Sequence, residues 1–104
     1  MLKLGLPKVE YRYYFVNDKY TLPRIKKGSV MDQIIQRFIS NKKPALGREM
    51  ELEIKSNYVY QQLRKLKIDE VLAQKNHKYF LKRSIKEVNE GEYRKEIARK
   101  VGSH

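Results

Sequence analysis

The stretch from Leu46 to Arg83 leaves the chain the fewest alternatives, because its apolar residues change period partway along. Between Ser56 and Lys67, Val59, Leu63 and Leu66 recur at spacings of four and three, which puts them on one face of a helix. Tyr58, Gln61 and Lys65 then point the opposite way, with Asn57, Gln62 and Arg64 on the flanks. That outer face carries amide and cationic groups and no carboxylate. From Glu70 to Gln74, and again from Lys78 to Arg83, the pattern alternates as strands do, and Lys75, Asn76, His77 and Lys78 form a basic turn between them. Upstream, Leu46 to Ile54 reads as a shorter helix, although Met50, Leu52 and Ile54 also alternate in the manner of a strand.

A further helix precedes this stretch. Ser29 follows Gly28 and sits where an N-cap belongs, with Asp32 three residues on in the place a capping box gives to Glu or Gln. Val30, Ile34, Ile35, Phe38 and Ile39 make one apolar stripe, which leaves Asp32, Gln33, Gln36 and Arg37 outward. Asn41-Lys42-Lys43-Pro44 ends the helix, since a residue before proline disfavours helical geometry. The expected interior is Ile34, Ile35, Phe38, Leu46, Met50, Leu52, Ile54, Val59, Leu63, Leu66, Leu72 and one aromatic of the ribbon.

The succession of helix, helix and ribbon with a basic tip resembles the winged helix-turn-helix family. Leu52, Ile54, Val59, Tyr60, Leu63 and Leu66 fall where that family has apolar or aromatic residues, and Leu72 follows at the start of the wing. Glu53 departs from the pattern, standing where the family often has a glycine, so the turn is made differently or lies a residue away. The resemblance covers residues 30–83. It implies an α+β fold, a three-helix core with a β-wing, and a homodimer formed through a terminal helix.

Charge points the same way. The 104 residues suffice for one domain with a modest core. They carry a formal +12, an excess no globule needs for its own stability, which directs attention to a polyanionic partner. A basic proteome or hot habitat would also produce such a bias. Cysteine is absent, which excludes disulfides and thiolate metal sites. No apolar run approaches the ~20 residues that span a bilayer, and MLKLGLPK is too short and too soon interrupted for a signal peptide. A cytoplasmic protein is expected, nucleoid-associated or, if the A·T-rich bias in Lys, Ile and Tyr reflects a virus, in the host cytoplasm. Gly102-Ser103-His104 reads as the remnant of a purification tag.

The ends extend this core. In residues 1–28, Val9 to Val16 forms a β-rich run with Val9, Tyr11, Tyr13 and Phe15 on one face, Asn17-Asp18-Lys19 turns, and Tyr20 to Ile25 returns as an edge strand limited by Pro23. Tyr11, Tyr13, Tyr14 and Tyr20 beside Arg12 and Lys19 offer either a stacking platform for single-stranded bases or the packed side of a small sheet. Residues 29–83 are the core, and 84–101 the last helix, begun by the capping-box sequence Ser84-Ile85-Lys86-Glu87. Ile85, Tyr93, Ile97 and Val101, with Val88, make its stripe, and Gly91 weakens its middle.

The expected function is binding of double-stranded DNA by a small transcription regulator, without catalysis, cofactor, metal, membrane or small-molecule substrate. Gln61 and Gln62 suit adenine, Arg64 or Lys65 guanine, and Ser56, Asn57 and Tyr58 the phosphates at the helix N-terminus. Lys75, His77 and Lys78 suit the backbone or the adjacent minor groove. Two alternatives stand beside this one. Glu53-Ile54-Lys55 is similar to the second half of the PD-(D/E)xK nuclease motif, whose acids hold magnesium and whose lysine positions water, but the first half is missing. A winged-helix module for replication, recombination or protein contact is the other. With His104 set aside as part of the tag, His77 has no Cys, second His or fixed carboxylate to make a zinc site.

Overall fold

The computed structural model describes residues 8–17 and 20–102. The lead at 1–7, the Asp18-Lys19 part of the expected turn and the end of the supposed tag, Ser103 and His104, lie outside them. The described residues form four helices and two small antiparallel sheets, an α+β arrangement.

Helix α1, Val30–Ser40, starts where Ser29 Oγ accepts the Asp32 backbone N–H at 3.3 Å. Ile34, Ile35 and Phe38 are buried, as their spacing requires. Its C-terminus is closed by Arg37, whose guanidinium donates to the carbonyls of Asn41 and Lys43 at 3.1 and 2.7 Å. The short strand β4, Ala45–Leu46, leads directly into α2, Gly47–Ile54, where the Glu49 carboxylate accepts the Leu46 N–H at 2.9 Å.

Between helix and strand, the residues of α2 follow the helical period. Met50 and Ile54, four apart, face inward; Leu52 lies between them on the opposite side and is 71% exposed. The expectation that Leu52 joins the interior is therefore wrong, while Leu46 and Ile54 are half-buried. The turn that follows is made at Lys55, not at Glu53: Lys55 adopts the left-handed conformation at φ 59°, and its N–H reaches the Glu51 carbonyl at 2.8 Å.

Helix α3, Val59–Ile68, buries Val59, Leu63 and Leu66 against α1 and α2. It closes in a Schellman arrangement: Val71 N–H to Leu66 O at 2.9 Å, Glu70 N–H to Lys67 O at 3.1 Å, with Glu70 left-handed at φ 62°. Leu66 and Val71 are both buried, the apolar contact that accompanies such an ending. This is why the first ribbon strand, β5, runs Leu72–Lys75 rather than starting at Glu70. It pairs with β6, Lys78–Leu81, across a two-residue turn in which Asn76 and His77 have φ 52° and 68°, as a type I′ hairpin demands. The first sheet has the order β4-β6-β5.

In the second sheet β1, Tyr11–Val16, is central. One of its edges is paired by β2, Tyr20–Thr21, and β3, Ile25–Lys26, two pieces of one returning strand broken around Pro23. The other edge is paired by β7, Ile85–Val88, from Tyr13↔Val88 to Val16↔Ile85. The last helix thus does not begin at Ile85. Ser84 Oγ, instead of capping it, donates to Asn17 Oδ1 at 3.0 Å, and Asn89 provides the cap by accepting the Glu92 N–H at 2.8 Å. Helix α4 runs Glu90–Gly102, so Gly91 falls in its first turn rather than its middle.

The core face of β1 is that of Tyr14 and Val16; Tyr11, Tyr13 and Phe15 lie on the other. Tyr14, Val16, Leu22 and Ile25 join the α1–α3 residues in one continuous cluster, so the N-terminal hairpin shares the core. On the outer face Tyr93 of α4 packs on Tyr13, ring centroids 4.7 Å apart, and donates its hydroxyl to the Leu22 carbonyl at 2.7 Å.

Asp32, expected outward, is buried at 2% exposure. Its Oδ1 accepts the Tyr14 hydroxyl at 2.6 Å; its Oδ2 accepts the Gly28 N–H at 2.8 Å and Arg12 Nε at 3.0 Å. Gln36 donates to the Tyr14 oxygen at 2.8 Å and to Glu87 at 2.9 Å, and Arg12 reaches Glu87 at 3.1 Å. This polar set ties β1 and β7 to α1. Burial, and next its bond to Asp32, pushes the Tyr14 hydroxyl well above the ordinary tyrosine pKa. Burial opposes the Arg12 charge, but its bonds to Asp32 and Glu87 prevail and hold its pKa above the usual value.

Candidate nucleic-acid interface

Because α3 is anchored through Val59, Leu63 and Leu66, the helical period leaves Gln61, Arg64 and Lys65 exposed and Gln62 half-buried at the flank. Three cations, Arg64, Lys65 and Lys67, and no carboxylate lie within Val59–Ile68. Ser56, Asn57 and Tyr58 precede the helix. Asn57 and Tyr58 are exposed, and Ser56 Oγ accepts the Tyr58 N–H at 3.1 Å, which satisfies one of the backbone donors a helix start leaves open.

Tyr60 holds α3 against α2. Its ring lies over Gly47, where an added Cβ would come within 2.5 Å of Tyr60 Cε1, so a side chain there would displace the Tyr60 ring. Tyr60 itself is 46% exposed, in keeping with its place outside the expected interior.

The ribbon projects beside α3, with Lys75, Asn76, His77 and Lys78 all exposed. Lys75 and Lys78 are direct cross-strand partners. Like charges so placed repel, and neither has an ion-pair partner among the described residues. Helix and ribbon are tied together by Lys67 Nζ, which donates to Gln74 Oε1 at 2.9 Å. Lys67 did not stand out in the sequence because its role depends on where β5 returns. At the ribbon's base Glu70 accepts Lys82 at 2.8 Å and lies 3.5 Å from Arg83; Lys82, then Arg83, holds its carboxyl below the usual range.

The other sequence candidates are dispersed. Glu53 is exposed in the last turn of α2 and Lys55 in the following left-handed turn, so neither stands on a strand. Among the described residues, no group of three or more His, Cys, Asp and Glu is placed to hold a metal ion. Of the tyrosines considered for base stacking, Tyr14 is buried on the opposite face from Tyr11 and Tyr13, and the Arg24 guanidinium lies 4.0 Å over the Tyr11 ring. Arg12 is engaged by Asp32 and Glu87, and Lys19 and the Tyr20 side chain are outside the described residues. Among the described residues no helix is long and apolar enough to cross a membrane. No protein-family model, curated protein or solved structure matches the chain.

Proposed function

We propose that the chain is a winged helix-turn-helix protein that binds double-stranded DNA, as a small transcription regulator and as a homodimer. Helix α3 enters the major groove, Gln61 and Gln62 meet base edges, Arg64 and Lys65 reach guanine or phosphate, and Ser56, Asn57 and Tyr58 meet the backbone. Lys75, His77 and Lys78, at the tip of the β5–β6 ribbon, lie on the adjacent backbone or in the minor groove. One observation carries this reading: an exposed helix face with cations and amides but no acid stands beside a ribbon tip whose two facing lysines have no ion-pair partner among the described residues. The order α1, β4, α2, α3, β5, β6 and the sheet order β4-β6-β5 support the family assignment. Support for a dimer comes from α4, whose Ile97 is 38% exposed beside a groove of about 470 Å³ in which Tyr13, Tyr93, Ile97 and Ala98 are flanked by Arg24, Glu90 and Arg94.

Fluorescence anisotropy with random-sequence duplexes, followed by selection of bound sequences, tests the reading. Lys75→Ala and Lys78→Ala should weaken all duplexes alike, and each should reduce the slope of log affinity against log salt by about one. Gln61→Ala and Gln62→Ala should alter sequence preference at a cost of about 1–3 kcal/mol at the preferred base. Absence of duplex binding at low salt, or binding indifferent to all four substitutions, would overturn it.

A further inference from the structure

A cavity of about 410 Å³ opens where the C-terminal end of α1 meets the connection from β6 to β7. Its floor is aliphatic: Ile39, Leu81 and Ile85, each half-buried and packed on the core. Its rim is cationic, with Lys42, Lys82 and Arg83 all exposed, and no carboxylate lines it. The remaining lining residue, Ser84, has its hydroxyl committed to Asn17.

The charges around this cavity are out of balance. Lys82 and Arg83 share one carboxylate, Glu70, which approaches from outside the lining. Lys42 has no ion-pair partner among the described residues. Three cations gathered over an aliphatic floor repel one another, and an anion seated among them relieves that repulsion while an apolar body covers the floor. The volume falls within the roughly 300–1,000 Å³ of small-molecule sites. Two other concavities among the described residues lack this combination: that of about 520 Å³ mixes Lys8, Arg12, Arg24 and Lys27 with Glu10, Glu87 and Glu90, and the groove beside α4 carries Glu90.

We propose that this cavity binds a small amphipathic anion, a carboxylate with an aliphatic or aromatic body. The body lies on Ile39, Leu81 and Ile85. The carboxylate is held by Lys42 and Lys82 and by the fork of Arg83, which suits bidentate pairing. Glu70 is then a competitor, since the ligand's carboxylate and Glu70 draw on the same two cations. The site stands whether or not α3 reads DNA.

Octanoate and neutral octanol, each titrated into the ¹⁵N-labelled full chain and followed by amide shifts, provide the test. Octanoate should saturate with shifts at Ile39, Lys42 and residues 81–85, and octanol should bind at least about tenfold more weakly there. Lys82→Glu should weaken octanoate by about tenfold or more. Glu70→Gln should tighten it by about two- to fivefold, the range of an exposed ion pair. Octanol binding as well as octanoate, shifts confined to the groove at Tyr93–Ala98, or no saturable shift at 81–85 would each overturn the proposal. The wild-type comparison of the two probes decides it even if a variant fails to fold.

Discussion

Replacing Asp32 by alanine should unfold the protein more readily than any surface substitution, and the cost follows from its partners. The side chain is 3% exposed and accepts three hydrogen bonds, from Tyr14, Gly28 and Arg12. Tyr14, in a fully buried residue, would keep Gln36 as donor but lose the acceptor for its own proton, a loss of about 1–3 kcal/mol. Arg12 is 27% exposed and retains Glu87, so its share is closer to that of a surface pair, up to about 1 kcal/mol. Loss of the carboxylate from the first turn of α1 adds about 0.3–1 kcal/mol through the helix dipole. The Gly28 N–H also loses its acceptor, about 0.5–1.5 kcal/mol, while relief from burying a charge offsets part of the total, leaving about 3 kcal/mol, or a fall in Tm of roughly 12 °C for a chain of this size. Urea and thermal unfolding of Asp32→Ala, Tyr14→Phe and the double variant measure it. The cycle should return a coupling of about 1–2 kcal/mol between the two side chains. A cost under about 1 kcal/mol, or independent effects, would refute the view that this set fastens the hairpin sheet to α1.

Two further outcomes follow from the same geometry. The Tyr14 pKa is raised on folding, so its contribution is fully present below the unfolded-state value near ~10 and is lost as pH rises above it; stability should fall there by about 1.4 kcal/mol per pH unit from this group, and Tyr14→Phe should flatten the decline in urea midpoints. His77→Gly should stabilise the fold by about 0.5–1 kcal/mol in urea, because Asn76-Gly suits the type I′ turn where His77 now sits at φ 68°; a lowered midpoint would refute the strain argument.

Much of this architecture was legible from local pattern. The 4,3 spacing of Val59, Leu63 and Leu66 gave α3 its inner face and so left Gln61, Arg64 and Lys65 outside. Ser29 placed the start of α1, Pro23 the break in the returning strand, and Lys75 to Lys78 the region of the ribbon turn, which strand pairing narrowed to Asn76-His77. The α2 region was ambiguous because Met50, Leu52 and Ile54 fit two periods; the helix that formed turned Leu52 to solvent and moved the turn to Lys55. For the candidate interface, residue type and exposure could be read along the chain, whereas the Lys67–Gln74 tie could not, since it joins elements seven residues apart through a reversal.

The sequence by itself determined which residues are apolar at which period, and a helix or tight hairpin needs little more, because its hydrogen bonds close within a few residues. Only the tertiary structure decided the fate of Ser84 to Val88. Locally they match a capping box, but the open edge of β1 accepts them as a strand, four residue pairs put Ile85 beside Val16 and Val88 beside Tyr13, and Asn89 offers a second cap just beyond. The same holds for Asp32, which sits at a helix start where a solvated acid is ordinary. It is buried because a tyrosine and an arginine about 20 residues earlier fold back onto it, and no window along the chain contains both partners and the surface that covers them.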